Sequence, residues 1–208
     1  MYILPKTTEM NKEFKLIDIL KTVKADKNII SDAAIIDTIT LTNVINTKTI
    51  DCVKNETFKE IYVFRITLKK REIPFLFLKA LDKTIKFHTY FVFVYKEEIY
   101  TTMCFKQIGS SVKLGEYYCH GFYGEKPLVE LTVNTVEDIY KLLYSYEVHI
   151  PCRKSESVED LYKRAKMIFK LRLQIEKTEQ LIIHEIQPIK KYDTFLKILE
   201  YKQKIHEL

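Results

Sequence analysis

Residues 73–106 read IPFLFLKALDKTIKFHTYFVFVYKEEIYTTMCFK and decide the fold, because one helical pattern is followed by two strand patterns. Pro74 stands where a helix can begin, since the first helical position tolerates a missing N–H. The apolar stripe of that helix consists of Leu76, Phe77, Ala80, Leu81 and Ile85. HTYFVFVY is apolar on both faces, which indicates a central strand covered on both sides. KEE then forms a turn and IYTTMCFKQ returns, so the segment predicts a helix followed by an antiparallel hairpin.

The same order of helix and hairpin opens the core of many metal-dependent nucleases, whose second or third strand carries an acid-x-Lys motif. Metal-dependent cleavage of a phosphodiester uses carboxylates to hold the cation and commonly a lysine beside them. Here the strand ends at Lys106, and Cys104 occupies the position of the acid. The acids around the hairpin are Asp82, Glu97, Glu98 and Glu116. A degenerate nuclease with Lys106 beside Glu98 or Glu116 is therefore the third of three hypotheses, and no catalytic residue is predicted.

Composition limits the functional classes. The 208 residues suit one domain with an appendage, and a hydrophobic share of 47% suffices for a core. With 34 basic and 28 acidic side chains the net charge is +6, which permits nucleic-acid contact without requiring it. The four cysteines form no CxxC pair, and no apolar run approaches the ~20 residues that cross a bilayer. We expect a cytoplasmic protein without membrane association.

Motifs for metals, nucleotides and nucleophiles are not found in the sequence. Cys119 and His120 are adjacent, so a strand would direct them to opposite faces. His149 and Cys152 flank a proline, but two ligands do not complete a zinc site. The patterns GxxxxGK[ST], GxGxxG and GxSxG do not occur. The sequence therefore predicts neither a metal nor a cofactor.

The rest of the first part of the chain adds helices and strands to this hairpin. Apolar residues in 8–23 recur at helical spacing, and Ile29, Ala33 and Ile36 fall on one face of a second helix. EIYVFRITLKK, residues 60–70, alternates as a strand whose more apolar face should meet the core. The fold class predicted is α+β, with a mainly antiparallel sheet, packed helices and a C-terminal helical hairpin or coiled-coil arm.

HIPCRKSES, residues 149–157, marks a boundary between a core domain, residues 1–152, and an arm, residues 153–208. A stripe at steps of three, four and seven follows, which is typical of a coiled coil. Its members that we predict as protein-interaction anchors are Leu161, Ala165, Ile168, Ile175 and Ile182. Pro188 ends or kinks this helix, and a second amphipathic helix follows, with an apolar face formed by Tyr192, Phe195 and Leu199.

The arm also carries Lys163, Lys166 and Lys170 at helical spacing. A basic helical stripe can follow the phosphates of a nucleic acid. Lysines in this pattern equally form the solvated side of a helix whose apolar seam makes the contacts. These three residues are the candidate nucleic-acid-binding residues of the second hypothesis, a nucleic-acid-binding module.

Several stretches in order resemble the domain-of-unknown-function 4391 family: LPKTTEMNKEF, EIYVFRITLKK, the segment 73–106 that ends in Phe105-Lys106, and the tail from KLRLQIEK to KIHEL. Pro188 shortens the helix connection relative to the family pattern. The resemblance implies a bacterial protein encoded beside helicase, nuclease or DNA-methyltransferase genes of the restriction-modification type. It assigns no active residue.

The first hypothesis is therefore a non-enzymatic accessory or scaffold protein of a bacterial DNA-processing, restriction or phage-defence assembly. The helical tail would dock onto a helicase- or methyltransferase-type partner or onto a second copy of the chain.

Overall fold

The computed structural model describes residues 2–53, 58–119, 129–130 and 135–208. The chain divides into two compact units, Met1–Cys152 and Arg153–Leu208, which we call the core unit and the arm. The fold is α+β, as predicted. The strands are β1 (Tyr2–Ile3), β2 (Glu9–Phe14), β3 (Ile36–Asn46), β4 (Glu60–Leu68), β5 (His88–Tyr95), β6 (Glu98–Ile108), β7 (Val112–Cys119) and β8 (Val129–Glu130). The helices are α1 (Leu16–Thr22), α2 (Lys27–Ala33), α3 (Phe75–Thr84), α4 (Val136–Val148), α5 (Val158–His184) and α6 (Pro188–Glu207).

Six strands form the main sheet in the order β2-β3-β4-β5-β6-β7, and β1 pairs with β8 separately. All neighbours in the main sheet are antiparallel except β4 and β5, which are parallel. A parallel pair requires a crossover, and α3 provides it. The strand β5 lies inside the sheet and is buried along all but its last residue, which confirms the central position predicted for HTYFVFVY.

The two faces of the sheet carry different helices. Neighbouring residues of a strand point to opposite faces. Thr89 of β5 donates a hydrogen bond to α3, whereas Tyr90 donates to Glu147 of α4 with an O–O distance of 2.8 Å. On the α3 face, the apolar core includes Phe77, Leu78, Leu81, Phe91 and Phe93. The buried side of α4 includes Ile139, Tyr140, Leu143 and Tyr144. The sheet is therefore covered on both faces.

The N-terminal helix predicted over residues 8–23 is wrong in its first half. Residues 9–14 form the edge strand β2, and only 16–22 are helical. Ile36, which we placed on the second helix, begins β3 instead and pairs with Leu68 of β4. In both places pairing with a neighbouring strand outweighs the local helical spacing, because sheet formation depends on contacts distant in sequence.

The arm is a pair of helices that pack against each other. Ser157 caps α5, with its hydroxyl oxygen 3.1 Å from the amide nitrogen of Asp160. Pro188 occupies the first turn of α6, so the proline starts the second helix after α5 has ended at His184. The guanidinium of Arg153 donates to the main-chain oxygen of Leu208, which joins the two ends of the arm.

Candidate functional site

A buried carboxylate organises the polar interior of the core unit. Asp82 lies near the end of α3 with its residue surface 0% exposed. Its oxygens accept hydrogen bonds from Lys106 Nζ at 2.7 Å, Thr89 Oγ1 at 2.5 Å, the Tyr117 hydroxyl at 2.6 Å and Cys104 Sγ at 3.4 Å. We call these five residues the Asp82 cluster. It joins α3 to the three strands β5, β6 and β7.

The backbone explains why these side chains converge. Leu78 and Leu81 on α3 are buried against the sheet, and Asp82 follows Leu78 by one helical turn on the same side. Cys104 and Lys106 are two residues apart on β6, so both point to the α3 face. The pairing of β6 with β7 shifts register between these two residues. The local geometry thus presents a thiol and an ammonium to one carboxylate.

Burial sets the protonation of the cluster. Desolvation lowers the pKa of Lys106, and the attraction of Asp82 acts in the opposite direction. Burial, and next the negative charge of Asp82, raise the pKa of the Cys104 thiol well above its usual value. The same two causes raise the pKa of the Tyr117 hydroxyl. The thiol and the phenol therefore stay protonated as donors, and the charges in the cluster are those of one ion pair.

Lys106, the lysine of the incomplete acid-x-Lys motif, forms this ion pair with Asp82. The side chain of Lys106 is 1% exposed and that of Asp82 is 0% exposed. The expectation that Glu98 or Glu116 lies beside Lys106 is wrong. Glu98 binds Arg71 at 2.6 Å, and Glu116 accepts from the hydroxyl of Tyr118 at 3.3 Å. A phosphate in solvent does not reach the ammonium of Lys106 in this structure, so the cluster acts as a packing element between helix and sheet.

His88 lies on the opposite face of the sheet from Thr89. Its ring stacks on Phe58 with centroids 4.4 Å apart and contacts Tyr140 at 4.5 Å. Burial, followed by the positive charge of Lys106, lowers the pKa of His88 to about 4. The Nδ1 atom has no hydrogen-bond partner among the described residues. A neutral imidazole between two aromatic rings is a core residue at neutral pH.

In the described part of the chain, three or more His, Cys, Asp or Glu side chains do not come together in a way that could hold a metal ion. His149 is the C-cap of α4 in the left-handed region, with φ of 54°. The thiol of Cys152 donates to the main-chain oxygen of Lys141 at 3.4 Å. His120, considered with Cys119 as a ligand pair, lies outside the described residues.

The predicted interaction anchors occupy two environments in the arm. Leu161 and Ala165 are 0% exposed and Ile168 is 5% exposed, so these three are buried within the chain. Ile175 and Ile182 are half-buried. Their role in binding a partner stays a prediction. Other side chains of the arm are more exposed than these five and are more accessible to a partner.

The three candidate nucleic-acid-binding lysines, Lys163, Lys166 and Lys170, are all exposed on α5. Lys163 forms an ion pair with Glu159, with an N–O distance of 3.0 Å. The pairing raises the pKa of Lys163. Its charge is thus partly balanced within the same helix, which is typical of a solvated helix surface.

Large apolar side chains that sequence reasoning did not select as anchors are exposed on the arm. They are Met167, Leu173, Leu181, Ile183, Ile186, Ile189, Tyr192, Phe195, Leu196 and Leu199. On α6, Ile198 is buried, and Tyr201 and Ile205, three and seven residues later, are half-buried. The apolar face formed by Tyr192, Phe195 and Leu199 is exposed. The helix α6 is therefore apolar on two faces, and only one of them is covered.

Comparison with known proteins gives one match. A family model described as Domain of unknown function (DUF4391) matches residues 3–205 of the chain. Neither a curated protein nor a solved structure matches it significantly. Among the described residues, helices long and apolar enough to cross a membrane are not found.

Proposed function

The chain belongs to the DUF4391 family, and we propose that it is a non-enzymatic accessory or scaffold protein of a bacterial DNA-processing, restriction or phage-defence assembly. In this proposal the protein acts in the cytoplasm. The arm docks onto a helicase- or methyltransferase-type protein, and the core unit is a stable platform that carries the arm.

The exposed apolar surface of the arm is the observation that carries this proposal. Monomeric proteins rarely leave contiguous apolar patches of more than a few hundred Å² in water. At the turn between α5 and α6, Ile186 is 92% exposed and Ile183 67%. Isoleucine side chains at a helical turn contribute little to the arm's own packing when they are this exposed. They suit an apolar groove on a partner.

The buried ion pair of the core unit also supports the proposed scaffold role. Lys106, the residue that suggested nuclease chemistry, is buried and held by Asp82. The contacts of this pair lie between a helix and a sheet. They stabilise a platform and leave no exposed lysine–carboxylate pair at this position for a substrate.

Co-expression tests the proposal. The full chain is produced with a helicase- or methyltransferase-type protein of the restriction-modification class, the partner proposed here, and the complex is isolated by a tag on that partner. We expect a stoichiometric complex that is lost in the double variant Ile183→Asp, Ile186→Asp. The matched control is Met10→Asp, which changes an apolar side chain of the core unit that is 54% exposed. Retention of the complex by the double variant would refute docking through this part of the arm.

Charge substitutions at the predicted anchors Ile168 and Ile175 are less informative than those at the exposed positions. A charge at Ile168, 5% exposed, would disturb the packing of the arm as well as any interface. Variants at the exposed positions separate binding from folding, because their side chains contact few atoms of their own chain. Far-UV circular dichroism of each variant checks that the helices are intact.

Nucleic-acid binding through Lys163, Lys166 and Lys170 is the second candidate function. The exposure of all three lysines supports it. Binding of phosphates weakens steeply as salt is raised, whereas an apolar contact does not. Affinity for a duplex measured by fluorescence anisotropy at two salt concentrations distinguishes the candidates. A salt-sensitive affinity lost in the triple lysine-to-glutamine variant would favour this one.

A further inference from the structure

We propose that a second copy of this chain packs against the exposed face of α6, with the two α6 helices parallel and in register. This inference rests on the proposed function, because it identifies the occupant of one part of the arm. The exposed face is defined by Ile189, Tyr192, Leu196 and Leu199, which we call the outer stripe.

The spacing of the outer stripe is that of a coiled coil. The steps between its members are three, four and three residues, which places Ile189 and Leu196 at a positions and Tyr192 and Leu199 at d positions of a heptad. Such a seam fits another helix lying nearly parallel to it. A flat surface or a short loop would leave part of a stripe this long uncovered.

The burial of the other α6 residues shows that α5 does not cover the outer stripe. The buried Ile198 follows Leu196 by two residues, and two residues rotate a helix by about 200°. The packed face of α6 is therefore opposite to the outer stripe. Tyr192 remains 63% exposed, Leu199 46% and Leu196 44%. A helix with apolar seams on two opposite sides is suited to lie between two other helices.

Charges beside the outer stripe select the second copy and its direction. The e positions of the same heptad are all acidic and consist of Asp193, Glu200 and Glu207. In an antiparallel pair of α6 helices, e positions face e positions, so these carboxylates would repel one another. In a parallel pair, g positions face the e positions of the next heptad. Lys202 at g then meets Glu207 of the second copy, and the symmetry of the dimer repeats this ion pair.

Lys202 is available for that contact. Its ammonium is 3.8 Å from Glu179 on α5, and both side chains are more than half exposed. An exposed ion pair at this distance contributes little stability, so Lys202 can leave Glu179 for Glu207 of the second copy at little cost in free energy. The other g positions within α6 are Pro188 and Phe195, and Phe195 is 49% exposed and widens the apolar seam.

The last heptad fixes the register. Gln203 occupies the third a position and hydrogen-bonds Glu207 at 3.0 Å within its own helix. A single polar residue at an a position favours the register in which it meets its own copy, because any other register buries it against an apolar side chain. Alignment of Gln203 with its counterpart is the parallel, in-register arrangement that the charges also favour.

Molar mass by light scattering over a series of protein concentrations tests the dimer. The full chain should have twice the mass of the monomer at the higher concentrations, and the variant Leu196→Glu, Leu199→Glu should have the monomer mass throughout. Leu173→Glu is the matched control, since Leu173 is an exposed leucine of α5, 56% accessible, outside the outer stripe. This control should remain dimeric. A native chain that is monomeric throughout, or a stripe variant that remains dimeric, would overturn the proposal.

Cysteine crosslinking tests the direction of the pair. Gln203→Cys should give a covalent dimer under mild oxidation, because a parallel register brings the two copies of this position together. Lys197→Cys, at a b position outside the seam, should give no more crosslink than the native chain. Equal crosslinking by both variants, or by neither, would overturn the parallel arrangement.

The two proposals fail differently. A chain that stays monomeric and still co-purifies with its partner would overturn the dimer and leave the docking function in place. A chain that dimerises through the outer stripe but forms no complex with the partner would support the dimer and overturn the docking function. The two measurements therefore use separate variants, Ile183 and Ile186 for the partner and Leu196 and Leu199 for the dimer.

Discussion

Replacing Lys106 by methionine should destabilise the core unit strongly. Methionine retains most of the volume but removes the ammonium, so the carboxylate of Asp82 is left buried with only neutral donors. Removal of one partner from a buried ion pair typically lowers the free energy of unfolding by 3–5 kcal/mol. With a urea dependence of about 2 kcal/mol per molar, a loss of about 4 kcal/mol moves the unfolding midpoint down by about 2 M.

Adding Asp82→Asn to Lys106→Met should restore much of the lost free energy of unfolding. In the double variant Lys106→Met, Asp82→Asn the buried charge is absent, and the asparagine oxygen can still accept from Thr89 or Tyr117. We expect the double variant to be more stable than Lys106→Met alone by about 1–3 kcal/mol, because it no longer buries a carboxylate without its ion-pair partner. The two single variants and the double variant together form a thermodynamic cycle.

Near-UV circular dichroism during urea unfolding is the assay, because Tyr140, Tyr144 and Tyr118 are buried in the core unit and report its packing. The matched control is Lys96→Met, which removes an exposed ammonium at the β5–β6 turn and should change stability by less than about 0.5 kcal/mol. A loss below about 1 kcal/mol for Lys106→Met would refute the buried ion pair. Absence of coupling in the double variant would show that Lys106 and Asp82 act independently.

Three further predictions concern other parts of the molecule. The folded state keeps His88 neutral with a pKa of about 4, below the ~6.5 of an unfolded histidine. Stability should therefore fall by up to about 3 kcal/mol as pH decreases from about 6.5 to 4, and His88→Phe should reduce this slope in urea titrations at several pH values. Cys104, buried with a raised pKa, should resist iodoacetamide in the native chain and react on unfolding, as followed by peptide mass mapping. Ser157→Ala removes the cap of α5 and should destabilise the arm by about 1 kcal/mol in thermal unfolding followed at 222 nm, whereas Ser157→Asp should not.

The sequence predicts the centre of the core unit well because the signals there are local. HTYFVFVY is apolar at both odd and even positions, which is the pattern of a strand covered on both faces, and β5 has this burial. Thr135 and Ser157 precede acids by three residues, a local pattern typical of a helix N-cap, and both cap helices. Signals of this kind depend on residues within one or two turns of each other.

The edge of the sheet was not predictable in the same way. The strand β2 is exposed along five of its six residues, so it lacks the alternation that identifies a strand. Its pairing with β3 joins residues distant in sequence, from 25 positions apart for Phe14 and Ile39 to 34 for Glu9 and Asn43. Local spacing in this region favours a helix, and tertiary pairing overrides it.

The sequence pattern did not identify Asp82 as the partner of Lys106, again because the two residues are distant in sequence. The acid-x-Lys pattern looks for a carboxylate two residues away on the same strand, but the carboxylate comes from α3, 24 residues earlier. One signal was present in the sequence. Asp82 follows Leu78 by four residues and therefore shares the apolar face of α3, where a charge needs a buried partner.

In α6, the sequence pattern identifies one apolar side, and the structure has two. Tyr192, Phe195 and Leu199 form a convincing apolar side, and an amphipathic helix is expected to bury one such side. The chain buries the opposite side instead, through Ile198. Two heptad stripes on one helix predict two neighbours, and a hairpin supplies only one of them.

The positions of polar and apolar groups in the two units together favour assembly over catalysis. Chemistry on a solvent-borne substrate requires reactive groups that the substrate can reach, but in the core unit the lysine, thiol and carboxylate of the Asp82 cluster are buried and bonded to one another. Association requires apolar groups that water can reach, and the arm exposes them at its turn and along α6. The helix-and-hairpin segment that suggested a nuclease instead holds its lysine in a buried ion pair with Asp82, and this pair fastens α3 to the sheet.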